Sequence, residues 1–130
     1  MVDSDPQELD DQIVLSVPAR DDYASIVRVA AASLALRRET PIARIDDLRL
    51  AVDEAMILLL TSAPDAETLR AIVHLTDESL TIELSPEHGA PMAIGEEAKE
   101  RFVKITAGLV DDWELDESAP KIRLCQAIAA

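Results

Sequence analysis

The stretch from residue 45 to residue 59 constrains the fold of this chain more than any other part of the sequence. Its apolar side chains recur at three- and four-residue spacing, at Ile45, Leu48, Val52, Ala55, Met56 and Leu59. This spacing places them along one side of a helix, and that side must be buried against a second layer of structure. Because Pro41 precedes the pattern and Pro64 follows it, we predict a long helix from about Ile42 to Ser62.

The remaining patterns predict two layers packed on one core. Runs typical of strands occur at residues 12–19, 68–75, 80–84, 113–115 and 122–127. Helical spacing occurs at 21–38, 42–62 and 96–110, and residues 85–95 hold enough proline and glycine to predict an irregular loop. From this order we predict an α+β two-layer sandwich, in which a mostly antiparallel sheet is covered on one face by three helices.

In the first of these helices, the spacing also indicates which side is buried. Asp21 and Asp22 suit the start of the helix, where carboxylates accept hydrogen bonds from free backbone N–H groups. From there, apolar or small side chains recur at helical spacing. We therefore expect the following residues to face the core: Ile26, Val29, Ala30, Ser33 and Leu34.

The length and the charge limit the kinds of protein to consider. With 130 residues, 48% of them hydrophobic, the chain suffices for one domain, which we place at residues 12–130 after a flexible acidic tail at 1–11. The formal charge of -14 repels phosphate backbones and anionic membranes, so we expect no direct binding to nucleic acid or membrane. The same charge suits either a basic protein partner or simple solubility.

The compartment follows from what the sequence lacks. No apolar run approaches the length of a membrane helix, and the acidic N-terminal residues are unlike a signal peptide. Cys125 is the only cysteine, which excludes an intramolecular disulfide and a cysteine-based zinc cluster. We predict a cytoplasmic protein.

Common catalytic motifs are missing from the sequence. It contains no GxSxG, HExxH, GxxxxGK[ST] or GxGxxG, and His74 and His88 do not have metal-ligand spacing. Glu54 lies within the long helix, where a carboxylate can accept a proton from a hydroxyl. A polar side chain one turn later would support that role, but position 58 is leucine. Taken alone, these residues favour a solvated helix acid.

The segment ARIDDLRLAVDEAMILLL, residues 43–60, resembles the second helix of RsbW-type anti-sigma factors, which are serine kinases of the GHKL ATPase superfamily. In that family, a run such as LAVSEAVTNA carries a catalytic Glu and, four residues later, a magnesium-binding Asn. The matching positions are Leu50, Ala51, Val52, Glu54 and Ala55. The order of elements is also similar from about residue 12, so the resemblance implies a GHKL (Bergerat-like) ATPase fold with Glu54 as the remnant of the family base.

Three parts of the family's nucleotide site are missing. Leu58 stands where the family has Asn, and it offers no oxygen to magnesium. The family's DxGxG turn, which binds adenine, is replaced by SPEHGAPM, and its glycine-rich lead into the third helix is replaced by EEAKERFV. We therefore expect no cofactor, neither ATP nor magnesium, and no metal site. The polar pocket is expected to be filled with hydrocarbon.

The resemblance implies a role in transcription regulation. We expect an anti-sigma factor, or a close regulator, that sequesters an RNA polymerase sigma factor without ATP and is counteracted by an anti-anti-sigma (STAS) protein in a partner-switching stress response. In the family the sigma factor docks near the first helix, where Arg28, Arg37 and Arg38 are the candidate partner-binding residues, and a homodimer is also implied. Two alternatives remain: an active serine kinase with Glu54 as its base, and an α/β interaction domain unrelated to sigma factors.

Overall fold

The predicted order of strands and helices is confirmed by the computed structural model, which describes residues 11–90 and 93–127. The elements are β1 (Asp11–Pro18), α1 (Ala24–Leu36), α2 (Ile42–Ser62), β2 (Thr68–Leu75), β3 (Ser79–Glu87), α3 (Glu96–Thr106), β4 (Asp112–Asp116) and β5 (Lys121–Ala127). A single 3-10 turn, Asp21–Tyr23, leads into α1. The predicted tail lies outside the described residues except for Asp11, which begins β1.

The five strands form one sheet in the order β1-β2-β3-β5-β4, and every neighbouring pair is antiparallel. Alternate side chains of the central strands, such as Val73, Ile82 and Leu124, are buried beneath the helices. The other face of the sheet carries mostly polar side chains. One cross-strand row on that open face is Val14, Ile72, Glu83, Arg123 and Glu114. The α+β two-layer architecture is therefore as predicted.

The predicted buried stripe of α2 is confirmed. All six of its residues, from Ile45 to Leu59, belong to the hydrophobic core. Ala51 and Leu58 are buried as well, so the buried side of α2 is wider than one stripe. The reason is position: α2 packs against α1, α3 and the sheet, so that only a narrow strip faces solvent. No helix among the described residues is long and apolar enough to span a membrane.

The predicted buried side of α1 is wrong for most of its residues. Ile26, Val29 and Ser33 are exposed, Ala30 is half-buried, and of the predicted set only Leu34 is fully buried. The residues that do face the core are Ala24, Val27, Ala31, Leu34 and Ala35. Three of these are alanines, whose small side chains let the axis of α1 approach its neighbours closely. Packing has therefore selected the small-residue side of α1 and left larger apolar side chains in solvent.

Several predicted boundaries also differ, and the α-helix predicted at 21–38 extends only from Ala24 to Leu36. β3 continues past Leu84 to Glu87, which pairs with Thr68 of β2, so the predicted loop begins at His88. Pro86 is tolerated there because the pairing of β3 with β5 ends at Leu84, and the missing N–H is not needed on that side. The third helix ends at Thr106 rather than near Val110.

A charged cluster ties the start of α2 to the last strand. Arg44 donates through Nη2 to Asp111 Oδ2 and to the carbonyl oxygen of Ala127, both at 2.7 Å. The backbone N–H of Ala127 also donates to Asp111 Oδ2, at 2.7 Å. This backbone hydrogen bond, helped by Arg44 and opposed by partial burial, lowers the pKa of Asp111. The carboxylate therefore joins α2, β5 and the segment after α3.

Candidate functional site

Glu54 lies in the middle of α2, and its carboxylate is held by α3. Arg101 donates from Nε to Oε1 at 3.2 Å and from Nη2 to Oε2 at 3.3 Å, which makes the contact bidentate. The Glu54 side chain is only 15% exposed. Arg101 therefore takes one acceptor site on each carboxylate oxygen and would compete with a substrate hydroxyl for Glu54.

Leu58 lies one turn after Glu54 and is 2% exposed. Only a small cavity of about 40 Å³ remains beside it, lined by Glu54, Ile57, Leu58, Thr61, Ala98, Arg101 and Phe102. Pockets that bind small molecules usually measure about 300–1,000 Å³, so this cavity by itself is too small for a nucleotide. Among the residues that the structure describes, no group of three or more His, Cys, Asp or Glu side chains could hold a metal ion.

The segments that would contact a nucleotide in the RsbW-type family have other roles in this structure. Gly89 packs against the backbone of Ala66, where a Cβ atom would lie 2.7 Å from both the N and the Cα of that residue. The preceding His88 has a positive φ of 62°, a conformation that non-glycine residues rarely adopt. Glu96 and Glu97 occupy the first turn of α3, where they disfavour a triphosphate at the helix N-terminus.

The three arginines proposed from the sequence as partner-binding residues point in different directions. Arg28 forms an ion pair with Asp53 of α2. Arg38 approaches the turn between β2 and β3, where it donates to the carbonyl oxygen of Thr76 at 3.4 Å. Arg37 lies at the end of α1 with 65% of its side chain exposed, 3.7 Å from Asp11. Arg37 is therefore mostly exposed to solvent, whereas Arg28 and Arg38 contact other elements of the fold.

An exposed apolar surface on α1 is the feature that the sequence prediction missed. Ile26, Val29 and Leu36 are 45%, 61% and 56% exposed, and with Ser33 they follow 3-4-3 spacing along one side of the helix. We call Ile26, Val29, Ser33 and Leu36 the outer face of α1. The signal was present as a second apolar stripe beside the alanine-rich one, but the sequence prediction assigned most of it to the core.

Comparison with known proteins supports the fold. No family model and no curated protein matches the sequence. Twelve solved chains match by structure, among them the RsbU and RsbW domains of Rv1364c from Mycobacterium tuberculosis. That match has a TM-score of 0.68 at 10% sequence identity and covers 92% of this chain. The chain spans about a third, 32%, of the length of that protein chain. The likeness establishes an α+β architecture that matches an RsbW-type domain.

Proposed function

We propose that this protein is a nucleotide-independent anti-sigma factor, or a close regulator of the same partner-switching kind. It would sequester an RNA polymerase sigma factor and release it when an anti-anti-sigma protein binds. The outer face of α1 is the observation that carries the proposal, because its large apolar side chains lie in a row along one side of the helix, and such a patch of exposed apolar surface marks a site of protein association. The structural likeness to an RsbW-containing protein supports the class of partner.

Independence from nucleotide is supported by the contacts around Glu54. The small cavity, the buried Leu58 and the bidentate Arg101 contact join α2 and α3 through groups of this chain alone. The alternative of a working serine kinase fits these contacts less well, since it requires a free Glu54 carboxylate and room for magnesium and ATP. We therefore propose no cofactor for this protein.

The charge of the protein suits the proposed partner. A net charge of -14 attracts a basic, DNA-binding sigma factor over long range and raises the rate of encounter. After encounter, apolar anchors on the outer face of α1 would supply most of the affinity. Arg37, exposed at the end of this face, is the candidate polar contact at its rim. Arg28 and Arg38 are less exposed than Arg37 and contact other elements of the fold, so we propose that they affect partner binding only by fixing the position of α1.

The test is a binding titration with purified sigma factors from the same organism, without nucleotide. Val29→Glu should weaken binding at least tenfold, because a charge would be buried in an apolar contact. The matched control is Leu50→Glu, which changes a similarly exposed leucine on α2 outside the outer face. The proposal fails if no sigma factor binds the wild-type chain, or if both variants bind as well as wild type. A partner of another class would favour the unrelated interaction domain.

The same variants test the homodimer that we also propose. In sedimentation equilibrium, the wild-type chain should form a dimer at micromolar concentration. If Val29→Glu gives a monomer, a second copy covers the outer face of α1 and competes with other partners. If Val29→Glu remains dimeric but loses the sigma factor, the dimer contact lies elsewhere and the outer face belongs to the partner. A monomeric wild-type chain would contradict the proposed dimer.

A further inference from the structure

Two adjacent acids of α2 form ion pairs with arginines of two different helices. Asp53 pairs with Arg28 of α1, and Glu54 pairs with Arg101 of α3. Consecutive residues of a helix point about 100° apart, so neighbouring side chains can reach different neighbouring helices. Together, these two acids connect α2 with both of the helices beside it. The sequence segment that resembles a catalytic motif therefore makes contacts between helices.

The attachment of α3 makes its contact with Glu54 important. In the first half of α3, Glu96, Glu97 and Glu100 are exposed, and the N-cap position carries no side-chain hydrogen bond. Phe102 anchors the middle of the helix through burial and an edge-to-face contact with Trp113, with ring centroids 5.5 Å apart. The turn before Phe102 is held to α2 by the Arg101 contact and to the β4–β5 turn by an ion pair between Lys99 Nζ and Glu117 Oε2, at 2.8 Å. Since, of these two ion pairs, only the Arg101 contact reaches α2, it should control how far that turn opens from α2.

Arg101 also compensates the charge of Glu54. Its guanidinium neutralises a carboxylate that is largely withdrawn from water, and it contributes to the lining of the small cavity next to Leu58. A partly buried carboxylate without a cationic or hydrogen-bonding partner is unfavourable. With Arg101 in place, both oxygens of Glu54 have a donor on the same chain.

We propose that Arg101 is a positioning residue that serves as an internal ligand: it occupies Glu54 and holds the first half of α3 against α2. The inference concerns the isolated chain. It rests on the proposed function only in assuming that no nucleotide takes this place, and it requires no partner protein for its test.

Hydrogen exchange of the backbone amides of residues 96–106, measured on the full chain, tests the proposal. Arg101→Met keeps the aliphatic stem and removes the charge, and Glu54→Gln removes the charge of the acceptor. In each variant, the α3 amides should exchange roughly three- to fivefold faster than in wild type. The double variant should be no faster than the faster single variant, because both substitutions remove the same contact.

Asp53→Asn is the matched control, since it breaks the neighbouring ion pair on the other side of α2. It should raise exchange in α1 and leave the α3 amides at the wild-type rate. Wild-type exchange of α3 in both single variants would overturn the proposal, as would additive effects in the double variant or equal opening of α3 by Asp53→Asn. If α3 behaves as expected but no sigma factor binds, only the proposed function fails.

Discussion

The region between α2 and α3 around Leu58 and the outer face of α1 both hold large apolar side chains. Only in the first region are those side chains covered by the rest of the fold. Leu58 is buried in the first region, beside two charged groups that satisfy each other. Val29 is exposed in the second, on the far side of a helix that packs through alanines. The first arrangement stabilises the fold, whereas the second leaves apolar surface for another molecule. Recognition of a protein is therefore expected at α1 rather than beside Glu54.

The strongest test of this contrast places asparagine, the residue found in RsbW-type proteins, at position 58 between α2 and α3. Leu58→Asn should lower the free energy of unfolding by about 3 kcal/mol, because it removes buried hydrocarbon and leaves an amide without partners. Urea denaturation of the purified chain measures the change. Leu50→Asn, at an exposed position of the same helix, should stay within about 0.5 kcal/mol of wild type. Equal stability of Leu58→Asn and wild type would show that the region is open to water.

A smaller effect should separate the two sides of α1. Val27 is fully buried and Val29 is exposed on the same helix. Val27→Ala should therefore destabilise the fold by about 2 kcal/mol, through lost burial and a residual cavity. Val29→Ala should change stability by less than about 0.5 kcal/mol. Thermal and urea unfolding of the pair give the comparison. A larger loss for Val29→Ala would mean that a second copy covers the outer face during the measurement.

The smallest effect concerns pH and the Arg44–Asp111 cluster, which lies away from both regions. The pKa of Asp111 is lowered in the folded state, so the cluster stabilises the fold above the unfolded value of about 3.9. That contribution is lost as the pH falls through the lower, folded pKa. Since the side chain is about half exposed, we expect less than about 1 kcal/mol. Unfolding at pH 7 and pH 3 should show a smaller pH-dependent loss in Asp111→Asn than in wild type.

The pH test has a matched control on the same side of the molecule. Asp112→Asn alters an exposed acid that pairs with Arg123 and has no contact with the backbone N–H of Ala127 among the hydrogen bonds described. The pH dependence of its stability should resemble that of wild type. If Asp111→Asn and Asp112→Asn behave alike, the hydrogen bond from Ala127 has no measurable effect on the pH dependence.

The architecture was predictable from the sequence because α2 carries one dominant apolar stripe and the strand patterns lie between clear turn signals. The buried side of α1 was not predictable in this way, because the helix carries two stripes of apolar or small residues. Close packing favours the stripe with the smaller side chains, Ala31 and Ala35. The ion-pair partner of Glu54 also could not be predicted from local sequence patterns. Arg101 lies 47 residues further along the chain, and nothing in the spacing of charges indicates that α3 brings it there.

The acidic edge strand β4 bears on how the chain avoids aggregation through the edge of its sheet. Its Asp112, Glu114 and Asp116 alternate along the edge of the sheet, and Arg123 of β5 pairs with the first two. A hydrogen bond from the Ser118 hydroxyl lowers the pKa of Asp116, so this carboxylate stays charged to a lower pH than an ordinary aspartate does. Since like charges discourage edge-to-edge pairing of strands, the sheet resists aggregation from this side. The chain can thus expose the apolar outer face of α1 without aggregating through β4.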